Sequence, residues 1–197
     1  MVLDAYRKNV DSVLTRISRP FLFFKPNTIS WISFIFAIFS GIFFYMGSIY
    51  LILASISLII SALLDAIDGK VARIRGMVSK RGDFLDHLLD RYSDTAIIVG
   101  IALSSYVHWY YALFALIGIF FTSYSGTQAQ AVTGKRDYGG LVGRADRLLI
   151  FILTPIFQFI FPGYFYGLSF TDFILIIIGI LGNVTAIQRS FRAWRNI

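Results

Sequence analysis

The chain has 197 residues, 57% hydrophobic and 17% aromatic, with no cysteine and a formal net charge of +7. So apolar a composition excludes a soluble domain of ordinary make-up, and the missing thiols exclude disulfides and cysteine chemistry. The charge calls for no nucleic-acid partner, because a membrane face lined by anionic lipid accounts for it.

Residues 1 to 25 place Leu3, Tyr6, Val10, Val13, Leu14 and Ile17 at helical spacing, with Asp4, Arg7, Lys8, Asp11 and Arg16 between them. This predicts an amphipathic juxtamembrane helix lying in the interface, and its lack of a continuous apolar run argues against a signal peptide. Pro20 and Pro26 then break the chain, and the remainder, 26–197, reads as one domain. Asn27 or Thr28 is expected to cap a first spanning helix over about 28–46. A second, about 49–70, is long enough to cross a hydrocarbon core of ~30 Å and carry Asp65 and Asp68 to the far interface. Residues 74–81 form a turn with a basic lip.

The third span starts near Asp83 and reaches about 105, with Asp83, Asp86, Asp90 and Asp94 on one face. Of these, Asp83 and Asp94 are expected to support the site rather than ligate metal, and His87, turned about 100° from Asp86, to hydrogen-bond at the interface. Further spans are expected over about 109–133, 145–161 and 171–188, with Tyr45, Tyr50, Trp109, Tyr110, Tyr164 and Tyr166 as interfacial anchors at the turns. All 18 Lys and Arg fall in the N-terminal segment, near residues 70–91, in the 135–147 loop or after Gln188. The turns near 47, 107 and 165 have none. The pattern predicts an all-α integral membrane protein with six transmembrane helices, both termini and the aspartates at the cytoplasmic face of the cell membrane.

Chemistry concentrates between Asp65 and Asp90. Asp65 and Asp68 stand three apart and Asp86 and Asp90 four apart, so each pair shares a helix face. If the two helices are antiparallel neighbours, four carboxylates converge and require a cation among them. An all-oxygen, all-anionic set selects Mg²⁺ or Mn²⁺ over zinc, and four aspartates suit two such ions and phosphoryl transfer. Gly69 lets a ligand approach the backbone, and Arg73, within a turn and a half, can reach a phosphate oxygen.

The stretch Asp65-Ala-Ile-Asp68-Gly69-Lys-Val-Ala72-Arg73, eight residues, then Gly82-Asp-Phe-Leu-Asp86-His-Leu-Leu-Asp90 resembles the signature of the CDP-alcohol phosphotransferase family at every fixed position. The resemblance implies a metal-dependent enzyme that moves a lipid phosphoryl group from a CDP-linked lipid to the hydroxyl of a polar alcohol, releasing CMP. It implies Asp65, Asp68 and Asp86 as metal ligands, Asp90 as ligand and catalytic base, and the donor diphosphate across two metal ions. Cytidine is implied near Gly69 and Ala72, with Gly82 in the same motif. Asn27 and Thr28 resemble the family's opening of the first helix near the nucleotide, and Ser79 stands where the family commonly has a hydroxyl beside it.

For the acceptor, the loop holding Lys135, Arg144 and Arg147 looks like that of family members that use inositol 1-phosphate. Upstream it departs from them: Gly126-Thr127-Gln128-Ala129-Gln130 stands where those enzymes usually carry basic and acidic residues. Glycerol 3-phosphate and serine are the alternative acceptors. A homodimer is the family's expectation. The rival class is a cation-coupled transporter, which should instead show broken helices or repeated halves with acids near the midplane.

Overall fold

A computed structural model describes residues 11–134, 137 and 139–197. Residues 1–10 of the expected amphipathic helix, and Lys135 of the acceptor loop, lie outside the described residues. Residues 11–18 are helical (α1) and run into a 3₁₀ turn, Arg19–Phe23. Six long helices follow: α2 (Pro26–Met46), α3 (Tyr50–Ile74), α4 (Lys80–Ala102), α5 (Trp109–Thr133), α6 (Arg144–Ile160) and α7 (Phe170–Arg195).

The helix ends follow local chemistry. Lys25, not Asn27 or Thr28, is the N-cap of α2, because Pro26 with its pre-set φ takes the first helical position. Asn27 and Thr28 therefore lie within the first turn. Ser79 caps α4, its hydroxyl accepting the Gly82 N–H at 3.1 Å, so α4 begins at Lys80, ahead of the expected Asp83. The linking turn shrinks to residues 75–79. Ser169 and Asp172 cap α7 reciprocally, the hydroxyl accepting the Asp172 N–H and the carboxylate the Ser169 N–H. At its other end α7 runs to Arg195, two turns past the expected 188. No Gly or Pro stops it, and Arg192 and Arg195 suit the negative end of the helix dipole.

α2 packs on both α3 and α4, α5 on α7 and α4, and α6 on α3 and more lightly on α7. Glycine allows the α2–α4 approach: a Cβ on Gly100 would run into the Gly41 carbonyl. The larger core cluster gathers Phe44, Leu58, Ile98, Ile119, Phe151 and Leu175. A second, around Ile29, Leu64, Ile67 and Val71, takes Leu14, Phe21 and Leu22 from the N-terminal segment. That segment is tied to the end of α3 by Lys70 Nζ on both oxygens of Asp11 (2.7 and 2.8 Å) and by Arg75 Nη1 on the Phe24 carbonyl (2.9 Å).

Among the described residues four helices, α2, α3, α5 and α7, are long and apolar enough to cross a membrane. Large apolar side chains face outward along them while Ser33, Ser40, Ser55, Ser57, Ser61 and Thr122 are buried between helices. Several find partners there: Ser33 Oγ donates to the Ser61 carbonyl at 2.8 Å, Ser40 Oγ to the Ala54 carbonyl at 3.0 Å and Thr122 Oγ1 to the Gly182 carbonyl at 2.8 Å. Such inversion is favourable where the surrounding medium is hydrocarbon and interhelical hydrogen bonds have no water competing for them.

Candidate active site

The aspartate-bearing helices α3 and α4 are consecutive and bring their carboxylates together without close backbone packing on each other. α2 on one side and α6 on the other hold them apart, because the small residues that permit close approach lie at the α2–α4 contact. The result is a polar slot lined by Ser30 and Ser33 of α2, Ser61 and Asp65 of α3, Asp86, Asp90, Ser93 and Asp94 of α4, and Arg144 of α6.

The carboxylates converge across this slot. One oxygen from each of Asp65, Asp68 and Asp86 lies within 4.8 Å of the others, and ligand atoms of Asp86, His87 and Asp90 meet the same limit. Asp68 and Asp90 are both buried, at 6% exposure. Ser30 Oγ donates to Asp68 Oδ2 at 2.5 Å. Arg144 Nη2 bridges Asp65 Oδ1, at 3.0 Å, and Asp90 Oδ1. One turn deeper Arg147, 3% exposed, and Arg91 both lie 3.2 Å from Asp94 Oδ2. Asp94 thus joins α4 to α6 without facing the three-carboxylate group. His87 stands 3.5 Å from Asp83 and 3.8 Å from Asp86.

Beside the aspartates a cavity of about 280 Å³ opens between the starts of α2 and α4 and the end of α3. Its lining includes Asn27, Gly69, Ala72, Arg73, Ser79 and Gly82, together with Asp68 and Asp86. Residues from Pro26 to Asp86 are thereby brought to one place. Thr28 is exposed and does not line it. Sequence reasoning did not single out Ser30. Its available signal is position: it follows Asn27 by three, on the same helix face.

The donor set fits hard divalent metal. In the group Asp65, Asp68 and Asp86 every ligand atom is a carboxylate oxygen, the three come from two helices that leave a gap between them, and Ser30 orients one of them from outside, as partners of metal ligands commonly do. With Arg73 and a nucleotide-sized cavity alongside, the arrangement suits a diphosphate held at the metal edge.

The family model for CDP-alcohol phosphatidyltransferases matches residues 23–185. An archaetidylinositol phosphate synthase of Pyrococcus horikoshii is 33% identical over 198 aligned residues, covering 100% of this chain and 98% of that protein. The crystal structure of Mycobacterium tuberculosis phosphatidylinositol phosphate synthase with CDP-DAG bound superposes with a TM-score of 0.79 at 25% identity, over 93% of this chain and 94% of that one. The same enzyme in complex with manganese and citrate gives a TM-score of 0.78 at 25% identity, over 92% and 88%. A match that takes in both aspartate helices and the cavity beside them, together with a relative aligned over 100% of this chain, places this chain in the CDP-alcohol phosphatidyltransferase family of metal-dependent membrane phosphotransferases.

Proposed function

We propose that the chain transfers the lipid phosphoryl group of a CDP-linked lipid to a hydroxyl of inositol 1-phosphate and releases CMP. The observation that carries this reading is the juxtaposition of the carboxylate group with the cavity lined by Asn27, Gly69, Ala72, Arg73, Ser79 and Gly82. The P. horikoshii relative is an archaetidylinositol phosphate synthase and the M. tuberculosis structure holds CDP-DAG, which favours inositol phosphate over glycerol 3-phosphate or serine as acceptor.

Asp65, Asp68, Asp86 and Asp90 are the groups that would hold two Mg²⁺ or Mn²⁺ ions. When bound, those ions neutralise the diphosphate and the charge that develops on the departing CMP. Gly69 and Ala72 leave room for the nucleotide, and Arg73 steadies its phosphate. Asp90 takes the proton of the acceptor hydroxyl, the acceptor oxygen bonds to the lipid-side phosphorus, and the phosphorus–oxygen bond to CMP breaks with its electrons on CMP. Arg144 already reaches Asp90, so a phosphate held by Arg144 brings the acceptor beside the base. Lys135 is proposed for the same phosphate. Arg147, buried against Asp94, ties α6 to α4 one turn along from Arg144.

In the membrane the six long helices are read as six spans, with both termini and the site at the cytoplasmic face. Residues 11–25 are read as the described part of an interfacial segment ahead of the 26–197 domain. A homodimer is expected from the family.

The test is CMP release from a CDP-linked lipid with inositol 1-phosphate as acceptor. Activity should require Mg²⁺ or Mn²⁺, and Asp90→Asn should lower kcat by at least about 10²-fold. Full turnover by chelator-stripped enzyme, or by Asp90→Asn, refutes the reading; faster turnover with glycerol 3-phosphate or serine reassigns the acceptor.

A further inference from the structure

We propose that Thr185 of α7 is a positioning residue for the acceptor site, holding the backbone segment that delivers Arg144 to Asp65 and Asp90. The proposal rests on the reading of Arg144 as the group that takes the acceptor's phosphate. Residues 139–143, just ahead of α6, have no regular structure, so their backbone N–H groups depend on side chains for partners. Thr185 is fully buried, and its Oγ1 accepts the N–H of both Leu141 (3.1 Å) and Val142 (3.3 Å). Gly140, at φ 142°, runs directly against the Thr185 methyl, where any Cβ would collide.

Two more ties come from the same helix. Arg189 Nε donates to the Gly139 carbonyl at 2.8 Å, and Arg192 Nε to Asp137 Oδ2 at 2.7 Å, while Asp137 Oδ1 accepts the Gly139 N–H at 2.8 Å. Immediately afterwards Asp146 accepts the Gly143 N–H at 2.8 Å, which starts α6 with Arg144 at its first position. α7 thus fixes the path of residues 139–142, that path fixes where α6 begins, and the first residue of α6 is the arginine on the aspartates. Loosening by even an ångström at Val142 moves the guanidinium off the acceptor's phosphate without touching the donor cavity.

The test compares Thr185→Val, which keeps the shape and removes the acceptor oxygen, with Thr185→Ser, which keeps the oxygen. For the purified full chain with Mg²⁺, inositol 1-phosphate and CDP-diacylglycerol, Thr185→Val should raise the KM for inositol 1-phosphate roughly tenfold, the effect of two donors losing their shared acceptor. The KM for CDP-diacylglycerol should stay within about twofold, and Thr185→Ser should restore most of the loss. An unchanged acceptor KM, an equal rise for both substrates, or a Ser variant as poor as Val overturns the proposal. Arg144→Ala separates the two possible failures. If it spares the acceptor KM, the acceptor reading itself is overturned; if it raises that KM and Thr185→Val does not, only the positioning role is. Should Thr185→Val not fold, Arg192→Gln removes an exposed tie to the same segment. A rise of about two- to threefold in acceptor KM alone then supports the proposal, and no rise overturns it.

Discussion

At the residue scale, Asp68 and Ser30 show how the site is assembled from distant chain. Asp68 was identifiable beforehand because its three-residue spacing from Asp65 and the glycine after it are covalent facts. Ser30, whose hydroxyl lies 2.5 Å from Asp68, was not, because 38 residues separate the two and only the α2–α3 packing joins them. With Asp68 as a proposed metal ligand, Ser30→Ala should raise the metal concentration for half-maximal activity roughly tenfold, the usual size for an outer partner of a ligand. Titrating Mg²⁺ against activity checks this. An unchanged midpoint would mean that Ser30 only fills space. Arg147 gives the opposite lesson: its spacing from Arg144 resembles a pair of phosphate ligands, yet the fold buries it against Asp94.

At the element scale, α3 and α4 work by being kept apart. Two helices packed through their aspartate faces would bring like charges into contact, whereas α2 and α6 interposed at the sides leave a slot that a cation can fill. The loop before α6 is the more exposed joint. Burial pushes the Asp137 carboxyl up, but hydrogen bonds from Arg192 and the Gly139 N–H outweigh it and hold the group below the ordinary carboxylate range. A carboxyl depressed in the folded state contributes stability above its unfolded pKa, and that contribution disappears as pH falls through the folded value. The thermal midpoint of the wild type should therefore exceed that of Asp137→Asn near neutral pH, and the gap should close only as pH falls below the ordinary carboxylate range. A constant difference across that range would show that the carboxylate's charge is not what matters.

At the scale of the whole molecule, the exterior is apolar and the hydrogen-bonding groups are inside, which suits a bundle in lipid. The absence of native cysteine makes its topology directly testable. A membrane-impermeant maleimide added to intact cells should label Tyr164→Cys, in the aromatic turn between α6 and α7. It should reach Val78→Cys, in the turn between α3 and α4, only after permeabilisation. Labelling of both from outside would refute the six-span arrangement. The sequence by itself determined the helical periodicity, the order of the six long helices and the spacing of the four aspartates, since these depend on neighbours within a few residues. Only the tertiary structure decided that α3 and α4 stand apart, that Ser30 orients Asp68, that Arg147 turns inward to Asp94 and that α7 holds the loop before Arg144. Each of these is a contact between distant segments, fixed by which helices can approach closely, and no local pattern encodes it.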